Sequence, residues 1–164
     1  MGLEVDLRNY LATDTTISSL CGGWLYFSTA PQDSGNQFIT INLLSDDAQH
    51  TTASGPGHLA YATVEVTCSV KGTDQYAQYI AASTLADAVK SRLNTLGVNT
   101  VTSKAQWPAM MGNTMVYFLA IETTPEVAKS RGTYSLPYQY QEGKGSGIQR
   151  KVVPVMLSYW NPYS

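Results

Sequence analysis

Two histidines, His50 and His58, lie in or beside the polar stretch DDAQHTTASGPG, the first place to look for metal or acid–base chemistry. A metal site would need more His, Cys, Asp or Glu at ligand spacing, and no carboxylate or thiol is spaced that way around them. Asp46 and Asp47 are neighbouring carboxylates at the end of an alternating run, where such pairs act as solvated turn formers rather than as a general acid. The stretch GKGSG at residues 143–147 has the glycines of a phosphate loop. It lacks both the G-x-x-x-x-G-K-[ST] spacing and the preceding hydrophobic strand, and reads as flexible linker. A nucleophile elbow, G-x-S-x-G or G-x-C-x-G, is also missing. The expectation is no catalytic, cofactor-binding or metal residue, and a protein that works by assembly.

Composition supports that expectation. The chain has 164 residues, 43% of them hydrophobic, enough for one core and one domain spanning 1–164. Only 13% are charged, against the usual quarter, so uncharged polar groups must dress the surface, and eleven tyrosines add amphipathic contact area suited to protein interfaces. A net charge of −2 argues against a dedicated nucleic-acid binder. The charge is uneven: up to Glu65 seven acids face Arg8 alone, whereas Lys129, Arg131, Lys144, Arg150 and Lys151 face only Glu142. Regions of opposite sign can dock head to tail between copies, although a solvated basic loop would look the same. Cys21 and Cys68 read as reduced, small core residues. No stretch approaches the roughly 18 apolar residues of a membrane span, and the expectation is synthesis in the cytosol.

The elements that would position such a surface follow from periodicity. Leu3, Leu7, Tyr10 and Leu11, then Ile17 and Leu20, predict two short N-terminal helices ended by CGG. WLYFST and FITINLLS predict two strands. Residues 60–72, AYATVEVTCSVKG, alternate Ala62, Val64, Val66, Cys68 and Val70 against Tyr61, Thr63, Glu65, Thr67 and Ser69, a strand buried on one side. After Gly72, a helix capped by Thr73 or Asp74 carries Ala77, Ala81, Leu85, Ala88, Val89, Leu93 and Leu96 along one stripe. TMVYFLAIE suits a strand covered on both faces, and VVPVMLSYW restores alternation, with Pro154 arguing against a fully paired central position. Residues 46–57 and 123–149 are predicted mobile loops. The predicted fold is α+β: a mainly antiparallel sheet with one long helix packed on one face and short N-terminal helices.

The order of these pieces resembles the tail-completion, or tail-terminator, proteins of long-tailed bacteriophages. The resemblance rests on VDLRNYLATDTTISSLCGGWLYFSTAPQ, FITINLLSDD, a glycine-bearing loop, and LAYATVEVTCSVKGTDQYAQYIAASTLADAVKSRLNTL, with a looser match over residues 152–160. These are patterns of structural residues, not a catalytic signature. The stretch 100–148 is longer and richer in tyrosine than the family's compact sheet. The resemblance implies a subunit of a ring, usually of six, at the head-proximal end of the tail tube. Such a ring stops tube growth, joins tail to head and lets genome DNA pass through its lumen. Its partners would be further copies of itself, the tail tube protein and a head-connector or neck protein, with no membrane, and its place would be the virion tail or neck. On that reading Tyr61, Thr63, Glu65, Thr67 and Ser69 face the channel or a neighbouring subunit. Tyr134, Tyr138 and Tyr140 anchor a partner, and Lys129, Arg131, Lys144, Arg150 and Lys151 supply the charge. A head-closure subunit of the neck, or a small ligand-binding domain or enzyme, are the alternatives.

Overall fold

The computed structural model describes residues 2–31, 35–49, 58–99, 101–121, 134–141 and 146–161. Leu3, Leu7 and Leu11 recur one turn apart and are all buried, which makes α1 (Leu3–Ala12) an amphipathic helix. Asp14 caps α2 (Thr15–Cys21), its carboxylate accepting from the Ile17 amide at 2.9 Å, and Gly22 ends it in the left-handed conformation that other residues resist. After β1 (Leu25–Phe27) come two long strands, β2 (Gln37–Gln49) and β3 (His58–Gly72), then α3 (Gln75–Thr95) with Asp74 as its cap. Short strands β4 (Ala109–Met111), β5 (Thr114–Ala120), β6 (Tyr134–Ser135) and β7 (Gln139–Gln141) precede β8 (Ser146–Asn161).

One sheet runs in the order β1-β2-β3-β8-β5-β4, with β6 and β7 also pairing with β8. Val64, Val66 and Cys68 of β3 lie opposite Val155, Val153 and Lys151 of β8, and the valines and Cys68 are fully buried on the inner face, beneath the helices. From α3, Ala82, Leu85, Ala86, Val89 and Leu93 meet that face, and α1 and α2 add Leu7, Leu11 and Ile17 to the same core.

The predicted fold is corrected in two respects. The sheet is mixed rather than mainly antiparallel, because β1 runs parallel to β2, with Leu25 beside Ile39 and Phe27 beside Ile41. The chain returns to the starting end of β1 before β2 begins, and alternation of side chains carries no record of which way a neighbour runs. Nor does one long helix cover the apolar face: three helices share it, because the leucines of α1 and the isoleucine of α2 belong to the same core. The stripe on α3 is also rotated. Ala77 is exposed, and Gln78 is buried instead. Its amide donates to the carbonyls of Val70 at 3.0 Å and Gly147 at 2.9 Å, fastening the first turn of α3 to the ends of β3 and β8.

Two expected loops contribute strand. Asp46 and Asp47 belong to β2 and pair with Ala62 and Tyr61. Beyond Ala120, the rest of β8 is met by β6 and β7. Taken together, β5, β6 and β7 form one interrupted partner running antiparallel to β8, from Met115 opposite Trp160 to Gln141 opposite Ser146. The interruption is local: the chain advances from Ala120 to Tyr134 while β8 moves only from Met156 to Val152. Pro154 stands in that gap, paired with Glu65 of β3 on one side and, among the described residues, with no strand on the other. A residue without an N–H is tolerated in so central a strand where a ladder lapses.

Candidate functional site

The outer face of the sheet carries the row predicted for β3, but the row is not uniformly open to solvent. Tyr61 is 46% exposed, Thr63, Glu65 and Thr67 are half-buried, and Ser69 is buried at 1%. Ser69 therefore cannot line a channel. Registration decides what the others stand beside: Tyr61 lies opposite Ser158, Thr63 opposite Met156, and Ser158 in turn opposite Phe118 of β5. The resulting surface is apolar at one end. Tyr61, Thr63, Phe118 and Met156, with Ser45 and Ser158, line a groove of about 270 Å³. Phe118 and Met156 are exposed by 53% and 41%, and Met110 and Met115, paired across β4 and β5, are exposed as well.

A bulge places Phe118 there. Pairing with β8 shifts between Val116 and Phe118, so Val116 is buried opposite Tyr159 while Phe118, two residues on, stands on the outer face opposite Ser158. The run TMVYFLAIE was read as covered on both faces; in the structure Met115, Tyr117 and Phe118 are exposed. Sequence reasoning missed this patch because its members come one or two from each of several strands. The exposed Met156, between buried Val155 and Leu157, was the available signal.

The residues proposed as partner anchors do not form a single cluster. Lys129, Arg131 and Lys144 lie outside the described residues. Tyr134 pairs through its backbone with Val152, and Tyr140 with Gly147. The Tyr138 hydroxyl donates to Gln78 Oε1 at 3.3 Å, and Gly147 has no room for a Cβ against the Tyr138 ring. Arg150 and Lys151 are consecutive on a strand and so point to opposite faces. Arg150 bonds Gln139 Oε1 on the β7 side, whereas Lys151 donates to Ser83 Oγ at 3.0 Å and lies 5.2 Å from the centre of the Tyr79 ring. These contacts strap β7 and the start of β8 to α3. On the solvent side of α3, Tyr76, Tyr79 and Ile80 are exposed, Tyr76 by 76%.

The ionisable groups buried in the fold hold elements together. Asp6, in the first turn of α1, accepts from Thr114 Oγ1 at 2.5 Å beside Gly112, where a Cβ would strike the carboxylate, so α1 is pinned to the turn between β4 and β5. Tyr159 donates to Asp46 at 2.8 Å, tying β8 to β2 across β3. Burial pushes the Tyr159 phenol above its ordinary range, and the hydrogen bond to Asp46 adds to the rise. Both thiols are buried and pushed up, chiefly by desolvation, which keeps Cys21 and Cys68 protonated at neutral pH. Among the described residues no three His, Cys, Asp or Glu gather into a metal-binding group, and no helix is long and apolar enough to cross a membrane.

Neither a protein-family model nor a curated protein sequence matches this chain. Among solved structures, the chain is similar to one from the virion of a native gene transfer agent particle, with a TM-score of 0.52 and 15% sequence identity. The match covers 97% of this chain and 95% of that one, so the two share a fold from end to end.

Proposed function

We propose that this chain is a structural protein of a phage-like virion, working by assembly rather than catalysis, and that it forms the head-proximal ring of the tail. The observation that carries the reading is the end-to-end likeness of fold to a chain of a gene transfer agent virion. The order of sequence elements, which resembles the tail terminators, supplies the finer position. Identical subunits, six on that resemblance, present one face of the ring to the tail tube protein and the other to a head connector. Tube growth ends because the new face no longer matches the tube's own. A surface with few charges and a net charge of −2 lets DNA pass through the lumen without counterion-driven adhesion. The exposed Tyr61, Phe118 and Met156 favour a subunit boundary over the channel wall as the role of that end of the outer sheet face.

The test is electron microscopy of the purified protein mixed with tail tubes that lack their terminator. The expected image is a ring at one end of each tube and an end to further growth. Binding to portal-bearing heads with no binding to tubes would move the protein to head closure. A monomer that binds neither would remove it from the neck altogether.

A further inference from the structure

The described sheet has a stepped outline. Across one end runs the row Ala48, Ala60, Tyr159, Val116 and Ala109, through β2-β3-β8-β5-β4. Across the other runs the row Leu25, Ile39, Cys68, Lys151 and Ser135, through β1-β2-β3-β8-β6. Both ends are equally wide, but the second row is displaced by one strand toward β1. On one edge β4 therefore stands out as a tab beyond the line of β5, β6 and β7. On the other edge β1 stands out and leaves a notch where β2 is bare from Asn42 to Gln49. Among the described residues, no backbone hydrogen bond is made on the open side of β4 or along that stretch of β2.

Tab and notch agree in depth, position and direction. Each is one strand deep, and Ala109 of the tab shares its row with Ala48 of the notch. Four antiparallel steps separate β4 from β2, so the two run in the same sense, and a parallel neighbour is what β1 already gives β2 over Ile39, Thr40 and Ile41. A bulge at Leu44 interrupts β2, and β4, three residues long, needs only the run from Ser45 to Gln49 beyond it. Apolar side chains stand exposed along these edges: Met110 by 55%, Leu44 by 46% and Phe27 by 40%. Within one copy, β3, β8 and β5 keep the tab and the notch apart.

We infer that a second copy of this chain sets its β4 into the notch beside β2, while the first copy's β1 enters the matching step beside its neighbour's β6. The two tabs then lie end to end in one line, both parallel to β2, with β1 antiparallel to β6. The contact is heterologous: each copy gives β4 on one side and β1 on the other, so one sheet continues from copy to copy, and the twist between successive strands turns it toward closure. This rests on the proposed ring and adds which edges build it. An open edge is a general template for strand pairing, and a stepped one admits in full only a partner with the complementary step.

The test uses two single variants of the full chain, S45C and M110C, both at exposed positions. Cys21 and Cys68 are buried, so a short bismaleimide reads the new thiols. Co-assembled one to one, the variants should give a cross-linked dimer and nothing larger, holding up to about half of the chains, the share that random placing around a closed ring allows. Either variant alone should give none. Light scattering of the same samples reads assembly separately, and assembly shows that each variant is folded. Assemblies with no cross-link in the mixture would overturn the inference and leave the proposed ring standing. Dimers cross-linked in S45C alone or in M110C alone would assign the seam to like edges and overturn it too. A wild type that stays monomeric with and without tail tubes would overturn it together with the ring.

Discussion

Replacing Gln78 with leucine tests how far one buried amide holds α3 to the sheet. The wild-type side chain gives both amide hydrogens away, to the Val70 and Gly147 carbonyls, in a site that is 3% exposed. Leucine keeps most of the volume and supplies neither donor. Two net hydrogen bonds are worth about 1 kcal/mol each, and leaving the carbonyls without that donor adds roughly 1 kcal/mol, so Q78L should lose about 3 kcal/mol. With a urea dependence of about 2 kcal/mol per molar, the unfolding midpoint should fall by about 1.5 M. Glutamate at the same position should cost more, since it sets a carboxylate against two carbonyl oxygens. Y138F removes only the longer bond to Gln78 Oε1 and should cost about 1 kcal/mol or less. In the Q78L background it should cost almost nothing further, because the acceptor has already gone. A Q78L midpoint indistinguishable from wild type would refute the claim that this amide couples the helix to β3 and β8.

Other consequences are as direct. L85A empties a fully buried site between α3 and the sheet and should destabilise by about 3 kcal/mol in the same urea assay. The Tyr159 phenol should ionise above the ordinary tyrosine range in a spectrophotometric titration, because burial and Asp46 favour its protonated form. Its contribution to stability is fully present below the unfolded value of about 10 and is lost as pH rises through the higher folded value, so Y159F should flatten that alkaline loss. Deleting residues 123–132 leaves Ile121, Glu122 and Thr133 to span Val153, Pro154 and Val155 of β8. That deletion should keep the sheet and its thermal midpoint nearly unchanged, whereas deleting 135–147 removes β7, the ends of β6 and β8, the Tyr138 contact and the Gly147 carbonyl that Gln78 serves, and should lower the midpoint by several degrees.

Much of the scaffold is legible in the sequence because it depends on local periods. The alternation through Val64, Val66 and Cys68 fixes which side of β3 is buried, and the leucines of α1 recur at helical spacing. What is illegible depends on contacts between distant residues. The parallel sense of β1 leaves no trace in WLYFST. A buried glutamine in a stripe of alanines becomes intelligible only when the carbonyls it serves are in place. The groove is harder still, since Tyr61, Phe118 and Met156 become neighbours only through the register of three strands and a bulge. The tyrosines and basic residues of the polar stretch were singled out by composition, which cannot say that Arg150 and Lys151 take opposite faces of one strand.

Among the described residues, Pro154 leaves a port in the sheet. Val152 and Met156 each have a strand to their far side, and the proline between them asks for none. Among the described residues, register is set separately on the two sides of Pro154, by Ala120 against Met156 and by Tyr134 against Val152. The frame on either side of Pro154 is thus fastened at two separate points, each of which holds its own stretch of β8.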